Sequence, residues 1–354
     1  MESRLIAVDA MSAERGLDVL IKGVELATKK EIGVILYGDH QELEKRIIPD
    51  FNLFIEHTSE VVGPGENPFE AFRKKKDSSL YRAVNAVTEG CAFAVLSAGN
   101  TGAFITTATL AFRRINFDSY KFIGAPPLIT CFPTKIMDTY VLVCDVGANP
   151  DCTPQQIVQN AILADEYTRY LLKKESPRIG LLSNGTERIK GNNLVKEADL
   201  LLRQQAPALR INYQGYAEPQ DIIAGVFDTV ITDGFTGNII LKFHESARKY
   251  AYDIVEQEMR KIHAGRFFGS LLRRAGITKR LSSYLHNEYC SGAILLGLNK
   301  PAMKVHANAD AETIGNALVM LDRHQGMIQA ITPGIKERLE VFGQYLKANE
   351  KREK

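Results

Sequence analysis

Short apolar runs that end abruptly in small polar residues recur along the chain. The first run covers residues 5–8 and stops at Asp9. Runs of the same kind occupy residues 34–37, 92–96, 140–144, 179–182 and 230–232. Continuous apolar runs of this length are typical of strands that are buried on both faces of a sheet. The pattern therefore predicts six buried strands, each followed by a polar loop.

Helical periodicity fills the stretches between these predicted strands. The apolar positions recur every three or four residues, at Leu17, Leu20, Ile21, Val24 and Leu26 and again at Ile157, Ala161, Ile162, Ala164 and Tyr167. Alternating strands and helices predict an α/β fold, with a mostly parallel sheet covered by helices on both faces. Right-handed crossovers should then place all the polar loops at one edge of the sheet, where open α/β sheets bind ligands.

Residues 243–287 follow a different pattern, which predicts an amphipathic helical hairpin projecting from the sheet. Its two apolar stripes comprise Phe243, Ala247, Tyr250, Ala251, Ile254, Val255 and Ile262, and then Phe267, Phe268, Leu271, Leu272 and Ala275. Arginines such as Arg273 and Arg274 interleave with the second stripe, as in helices that lie on anionic lipid. Because a dimer interface would produce the same stripe, we expect dimer packing at the base and lipid contact at the tip.

No Pro- or Ser-rich linker divides the chain. We therefore predict one catalytic α/β domain, residues 1–345, which includes the hairpin. Residues 346–354 are rich in charge and are predicted to be a frayed tail.

Composition narrows the classes of function. The net charge is +2 and no basic helix carries base-reading side chains, which argues against nucleic acid as a partner. The five cysteines include no C-x-x-C pair, so neither a metal site nor a disulfide framework is expected. The first residues lack the apolar region of a signal peptide, and no run reaches the ~18 apolar residues of a membrane span. We expect a cytoplasmic protein, with at most peripheral attachment to the inner face of the cell membrane.

The loop after the third predicted strand has the composition of an anion cradle. Residues 97–103 read Ser-Ala-Gly-Asn-Thr-Gly-Ala and precede a predicted helix. Gly99 permits close backbone approach, the side chains of Ser97, Asn100 and Thr101 offer hydrogen bonds, and a helix amino terminus favours anions. The alternative is an ordinary N-capped turn, which Ser and Asn also favour.

Other predicted strands are followed by loops of the same chemistry. The residues that stand out in them are Asp145, Asn149, Lys190, Asn192, Asp233, Gly234, Thr236, Asn238 and Lys242. Several such loops at one sheet edge support an anion site more strongly than one loop alone. The chain lacks the G-x-x-x-x-G-K-[ST] phosphate loop and has no G-x-G-x-x-G after its first strand. These absences argue against a P-loop nucleotide hydrolase and against a standard dinucleotide-binding domain.

Taken together, these motifs resemble those of the PlsX family of phosphate acyltransferases. The matching residues run in order through nearly the whole chain, at residues 8–11, 75–79, 97–103, 145–149, 151–152, 180–182, 190–192, 233–238 and 293–297 and at Lys242, Lys304 and His306. The resemblance implies a homodimer with a three-layer α/β/α fold, related to isocitrate and isopropylmalate dehydrogenases and to phosphotransacetylases. It also implies transfer of a fatty acyl group from acyl-[acyl carrier protein] to inorganic phosphate, with no cofactor. The acyl phosphate would supply a membrane glycerol-phosphate acyltransferase in phosphatidic acid synthesis.

This reaction suggests roles for individual residues. The enzyme must desolvate phosphate, hold it in line and neutralise its charge. The candidate cations are Lys190, Lys242 and Lys304, and the aspartates that could orient them or bind an ion are Asp9, Asp145 and Asp233. A thiolate leaves readily, so the chemistry requires no metal ion. The arginines of the hairpin are also candidates for contact with the acidic surface of acyl carrier protein.

The carbonyl oxygen gains charge during the transfer. Asn100, Asn238 or His306 would stabilise that charge, an effect worth roughly 3 kcal/mol per donor. His306 has two other interpretations, as the proton donor to the leaving thiolate and as a residue that merely caps a turn. Cys152 or Cys290 would carry the acyl group in a covalent mechanism, whereas buried packing is the alternative for both.

Four segments depart from the family's pattern. Residues 12–14 are Ser-Ala-Glu in place of Gly-Gly-Asp, and residues 307–309 are Ala-Asn-Ala in place of Gly-Ser-Ser. Residues 183–186 are Ser-Asn-Gly-Thr rather than Asn-Ile-Gly-Glu, and residues 291–292 are Ser-Gly rather than Gly-Gly. Lost glycines restrict the backbone, and a lost serine pair removes hydroxyl donors. Two alternatives therefore stay open, a weakened paralogue or scaffold of lipid synthesis and a dehydrogenase of the related fold.

Overall fold

A computed structural model describes residues 4–47, 51–115, 120–136, 138–262 and 290–350. The strands in these residues are β1 (Ile6–Asp9), β2 (Val34–Gly38), β3 (Leu53–His57), β4 (Ala94–Ser97), β5 (Leu128–Pro133), β6 (Tyr140–Cys144), β7 (Arg178–Leu182), β8 (Asn212–Ala217), β9 (Thr229–Ile231), β10 (Ala293–Leu295) and β11 (Ala302–Lys304). The helices are α1 (Leu17–Thr28), α2 (His40–Glu44), α3 (Pro68–Lys74), α4 (Ser79–Thr88), α5 (Thr101–Phe112), α6 (Pro154–Leu172), α7 (Asn193–Leu209), α8 (Pro219–Ala224), α9 (Gly234–Ile262), α10 (Ala311–Asp322) and α11 (Met327–Glu350).

All the described strands belong to one sheet, in the order β3-β2-β1-β4-β11-β10-β5-β6-β9-β7-β8. The six runs predicted from the sequence correspond to β1, β2, β4, β6, β7 and β9. Seven of the neighbouring pairs are parallel, which confirms the mostly parallel sheet.

The direction of the sheet reverses at its centre. β10 is antiparallel to both β11 and β5, and β5 is antiparallel to β6. The strands β6, β9, β7 and β8 therefore run opposite to β3, β2, β1, β4 and β11. The prediction that all polar loops share one edge is wrong. The loops after β1, β4 and β11 lie at one edge, and those after β6, β7 and β9 lie at the other.

Apolar side chains on the two faces of the sheet form two packed layers. Along β1, Ile6 and Val8 join one buried cluster, while Ala7 joins the other. The first cluster includes side chains of α1, α6, α10 and α11, and the second includes side chains of α4 and α5. Because neighbouring residues of a strand point to opposite faces, this division confirms the three-layer arrangement.

The long helix α9 contains the first stripe of the predicted hairpin. The side chains of Phe243, Tyr250 and Ile254 on it are 74%, 70% and 43% exposed. Residues 263–289 lie outside the described residues, and with them the predicted membrane and carrier contacts Phe267, Phe268, Leu271, Leu272, Arg273 and Arg274. In the part of the chain that is described, no helix combines the length and the apolar character required to cross a membrane.

Helix α11 corrects the predicted tail. The helix continues to Glu350, and Leu346 packs against the core. Residues 346–350 are therefore helical, and the apolar side chain of Leu346 anchors them to the core.

Candidate active site

A cavity of about 550 Å³ lies between the start of α5 and one face of α9. Its lining includes seven of the residues selected from the sequence, Gly99, Asn100, Thr101, Asn238, Lys242, Lys304 and His306. They come from both edges of the sheet. The edges are close here because β10 and β11 have three residues each, which span only about 10 Å. Helix α9 covers the same distance, since Asn238 and Glu245 are separated by about 10 Å of helix rise.

The amino terminus of α5 presents backbone donors to the cavity. Asn100 caps the helix, and its side-chain oxygen accepts a hydrogen bond of 3.0 Å from the N–H of Ala103. Its amide nitrogen donates to the carbonyls of the 63–64 turn. Among the described residues, the N–H groups of Thr101 and Gly102 have no protein partner, and both residues line the cavity. The candidate anion-binding groups of this loop are thus these two amides, while the side chain of Asn100 is occupied in holding the loop.

Close packing fixes the position of that loop. A Cβ atom on Gly99 would lie 2.4 Å from Cβ of Ser12, so this glycine permits close approach to protein. Asp9 is fully buried, and its carboxylate accepts hydrogen bonds from three hydroxyls, those of Ser12 at 3.0 Å, Ser79 at 2.6 Å and Ser97 at 2.7 Å. Asp9 and Ser97 thereby join β1, β4 and α4 beneath the cavity.

Lys304 is a buried cation in the cavity wall. It ends β11 beside Ser97, and its side chain is 7% exposed. Its ammonium group donates a hydrogen bond to the carbonyl of Val305. Burial lowers the pKa of Lys304 to about 8, although the negative charges of Asp9 and Glu14 oppose this shift. The group is therefore still mostly charged at neutral pH, and it has few protein partners competing with a bound anion.

One face of α9 supplies four further polar side chains. Asn238, Lys242, Glu245 and Arg248 all line the cavity. They lie three or four residues apart, which places them on the same side of a helix. Burial lowers the pKa of Arg248 and raises that of Glu245. Sequence reasoning missed Glu245 and Arg248, although the helical spacing from Asn238 and Lys242 would have found both.

His306 faces Glu245 across the mouth of the cavity. Its Nε2 lies 4.0 Å from Oε2 of Glu245. The backbone N–H of Asn308 donates to Nδ1 of His306 over 3.1 Å. Because Nδ1 accepts this bond, the neutral imidazole carries its proton on Nε2, on the side of Glu245.

One histidine and two cysteines in and near the cavity are uncharged. Burial lowers the pKa of His244 to about 4, and its ring centroid lies 4.8 Å from that of Phe132. Burial raises the pKa of the Cys290 and Cys152 thiols to about 12. Since the thiolate is the nucleophilic form of cysteine, these environments favour the packing alternative over a covalent acyl-enzyme.

The loop after β6 holds its predicted residues in structural roles. Asp145 is buried and accepts hydrogen bonds from the backbone N–H groups of residues 128, 147, 148 and 149. Asn149 donates to Asp145 and to the carbonyl of Ala125, and it accepts from the N–H of Ala125. Neither side chain lines the cavity. Their bonds fix a loop whose Gly147 forms part of the wall.

The start of α9 is fixed in the same way. Asp233 accepts hydrogen bonds from the N–H and the hydroxyl of Thr236, each at 2.8 Å. A Cβ atom on Gly234 would lie 2.7 Å from the carbonyl oxygen of Asn149, and one on Gly237 would overlap that of Asp145. These residues position α9 against the loop after β6, so they act on the cavity through Asn238.

Lys190 and Asn192 are not brought into the cavity. Lys190 is exposed, and Asn192 caps α7 by accepting a hydrogen bond of 2.9 Å from the N–H of Val195. Both follow β7, at the edge opposite Lys304, because the sheet reverses between them.

The chain is similar to known proteins over most of its length. The family described as fatty acid synthesis protein matches residues 5–329. A phosphate acyltransferase of Ligilactobacillus salivarius (strain UCC118) is 38% identical over 313 residues, covering 87% of this chain and 91% of that protein. One of Geotalea uraniireducens (strain Rf4) is 35% identical over 348 residues, covering 96% and 97%.

Solved structures show the fold that is shared. A phosphotransacetylase from Streptococcus pyogenes matches with a TM-score of 0.57 and 17% identity, over 92% of this chain and 94% of that one. A branched-chain phosphotransacylase from Enterococcus faecalis V583 matches with a TM-score of 0.51 and 12% identity, over 92% and 98%. At this identity the likeness concerns the fold alone. The family match and the relatives of similar sequence identify the family. The chain belongs to the PlsX family of phosphate acyltransferases, enzymes that transfer acyl groups to phosphate.

Proposed function

We propose that this enzyme takes a fatty acyl group from acyl-[acyl carrier protein] and transfers it to inorganic phosphate bound in the cavity. The observation that carries this proposal is the pairing of two unpartnered amides, at Thr101 and Gly102, with the buried ammonium of Lys304 in the same cavity. A helix amino terminus and a desolvated cation both favour a compact anion.

The charges around the cavity suit a dianion. Lys242, Arg248 and Lys304 supply three cationic groups, against the carboxylates of Glu14 and Glu245. The three cations would hold phosphate, and Asn238 would contact it or the thioester carbonyl from the opposite wall. Asp9, Asp145 and Asp233 act as structural acceptors in this proposal, as do Asn149 and Thr236.

The proposed step forms one bond and breaks another. An oxygen of phosphate attacks the thioester carbonyl carbon, and the negative charge moves to the carbonyl oxygen. Collapse of this intermediate breaks the C–S bond and releases the carrier as a thiolate. The proton that phosphate loses passes to the thiolate through Nε2 of His306, so the products are acyl phosphate and the free thiol. No cofactor or metal ion takes part in this step.

The test uses purified protein, palmitoyl-[acyl carrier protein] and phosphate, with free thiol followed over time. Thiol release should require phosphate, and hydroxylamine should trap the product as a hydroxamate. Asn238→Ala should lower turnover without changing the circular dichroism spectrum. Thiol release that is independent of phosphate would indicate hydrolysis and contradict the proposal. The weakened-paralogue alternative predicts no release at all.

His306→Ala should lower kcat with the carrier thioester by on the order of 100-fold, because the alkyl thiolate loses its proton donor. An aryl thioester leaves without protonation, so its kcat should fall much less. Glu245→Gln should show the same dependence on the leaving group in weaker form. Equal losses for both thioesters would show that His306 binds phosphate or only shapes the turn.

Two of the four altered family segments contact each other in the structure. The N–H of Glu14 donates to the carbonyl of Ala307 at 3.1 Å, which joins residues 12–14 to residues 307–309. Changes in two touching segments compensate more readily than isolated changes, which favours a working enzyme over the scaffold alternative. The family assignment likewise favours an acyltransferase over a dehydrogenase.

The exposed apolar stripe on α9 supports a homodimer as part of the proposal. Phe243, Tyr250 and Ile254 expose large side chains along one helix, which is unusual for a surface in contact with water alone. Peripheral contact with the inner face of the cell membrane completes the proposal, since the acyl phosphate would pass to a membrane glycerol-phosphate acyltransferase.

A further inference from the structure

Helix α3 lies at the rim of the cavity and is fixed to the helix terminus that faces phosphate. The amide of Asn100 donates to the carbonyl oxygens of Gly63 and Pro64, at 3.2 and 2.8 Å. Pro64 itself lines the cavity. A Cβ atom on Gly102 would lie 3.0 Å from Pro68, the first residue of α3, so the two helices meet at their amino ends.

Four consecutive cations, residues 73–76, span the carboxyl end of this helix and the residues that follow it, and only two of them are neutralised. Nζ of Lys74 lies 3.0 Å from the carboxylate of Glu70, and Nζ of Lys75 lies 2.6 Å from that of Glu66. Arg73 and Lys76 are exposed. No carboxylate in the described residues pairs with either one. Two uncompensated positive charges therefore lie at the carboxyl end of α3, with Arg73 about 8 Å of helix rise from Pro68.

One of these charges is held in place by aromatic rings, and the other lies close to an exposed ring. The ammonium of Lys76 lies 4.0 Å from the ring centroid of Phe72 and 4.2 Å from that of Tyr81, which restrains the side chain. Phe69 is 63% exposed and lies one helical turn before Arg73, on the same side of α3. An exposed aromatic ring accompanied by an arginine is typical of a protein-binding surface.

We propose that Phe69, Arg73 and Lys76, here called the α3 surface, dock the acidic protein that carries the acyl thioester. The inference rests on the donor proposed above. The carrier protein is too large to enter the cavity, so it must stay outside while its thioester reaches in. The α3 surface offers positive charge near the cavity, opposite in sign to the acidic carrier. Docking of this kind raises the association rate and the affinity for the carrier, and leaves the chemistry of the bound thioester unchanged.

The test compares two charge reversals of equal size. Arg73→Glu with Lys76→Glu changes the α3 surface. Lys22→Glu with Lys29→Glu is the matched control, because both lysines are exposed on α1 and neither lines the cavity. The α3 double variant should raise KM for palmitoyl-[acyl carrier protein] by about tenfold or more, with kcat within about twofold. Transfer from a small palmitoyl thioester of N-acetylcysteamine should match the parent in both variants. Phe69→Ala should raise the carrier KM in the same selective way.

Three outcomes would overturn the α3 surface. One is an equal rise of KM in the control variant, which would indicate a general effect of net charge. Another is an equal loss with the small thioester, which would indicate damage to the site. A third is unchanged carrier kinetics with lost binding to vesicles of anionic lipid, which would assign the patch to a membrane. A parent enzyme that uses the small thioester but not the carrier thioester would instead refute the donor, and the docking surface with it.

Discussion

Lys304→Ala is expected to lower kcat/KM for phosphate by on the order of 100- to 1,000-fold. The ammonium is buried in the cavity wall, so water and salt screen its interaction with phosphate only weakly. Lys190→Ala is the matched control, because Lys190 stands in a family motif but is exposed and lies outside the cavity lining. Its kinetics should remain within about twofold of the parent, as for most surface substitutions. Steady-state release of free thiol at varied phosphate measures both, and a larger loss at Lys190 would contradict the site described here.

The charge of Lys304 also predicts how phosphate binding depends on pH. Burial lowers the pKa of this group to about 8, so the ammonium is present below that pH and is lost as the pH rises through it. Phosphate affinity of the parent should therefore fall between pH 7.5 and 9.5, a range in which phosphate remains a dianion. Lys304→Arg should remove this fall, because a guanidinium stays charged. A parent whose phosphate affinity is level across the range would show that Lys304 does not contact the ligand.

The sequence predicted the strands on both sides of the sheet's centre, but neither the central strands β11, β10 and β5 nor the edge strands β3 and β8. The runs that became β1, β2, β4, β6, β7 and β9 are continuous and apolar, which is the signal of a strand buried on both faces. The strand β10 has only three residues, and β5 contains Thr130 and ends in Pro133. Neither carries that signal. Because these two strands reverse the sheet, the loops were assigned to one edge although they occupy two.

The cavity nevertheless contains part of the predicted set, for a reason that the loops alone do not reveal. Asn238 and Lys242 reach it through the length of α9, which crosses from one edge to the other. The same helix places Glu245 and Arg248 in the wall of the cavity. Lys190 does not lie on a helix that leads towards the cavity, so its side chain is exposed to solvent. A motif indicates which residues matter, and the direction of the element that follows decides whether they meet.

Several predicted ligands proved to have partners within the protein. Asp145 accepts four backbone N–H groups, and Asp233 binds two donors of Thr236. Polar residues after strands serve equally well as caps and as ligands, and only the positions of neighbouring N–H groups distinguish these roles. That information depends on long-range packing, such as the approach of Leu128 to Asp145.

Asp9→Ala is expected to lower the free energy of unfolding by about 3–4 kcal/mol, the largest loss of stability among these substitutions. The buried carboxylate is the common acceptor for Ser12, Ser79 and Ser97, and its removal leaves their hydroxyls without that partner. Denaturant unfolding measures the loss. Asp151→Ala should stay within about 0.5 kcal/mol of the parent, because Asp151 is exposed. A loss at Asp9 no larger than at Asp151 would contradict the role of this acceptor in joining β1, β4 and α4.

Asp9→Asn separates the structural role of this residue from its charge. The amide has nearly the same shape, and the three serine hydroxyls can rotate to accept from it, so most of the stability should remain. The negative charge of Asp9 raises the pKa of Lys304 against the effect of burial. Its removal should therefore move the fall in phosphate affinity to lower pH, whereas Lys304→Arg with Asp9→Asn should show no fall at all. A fall at the parent's pH in Asp9→Asn would show that the two buried charges are not coupled, and that Asp9 serves the site through packing alone.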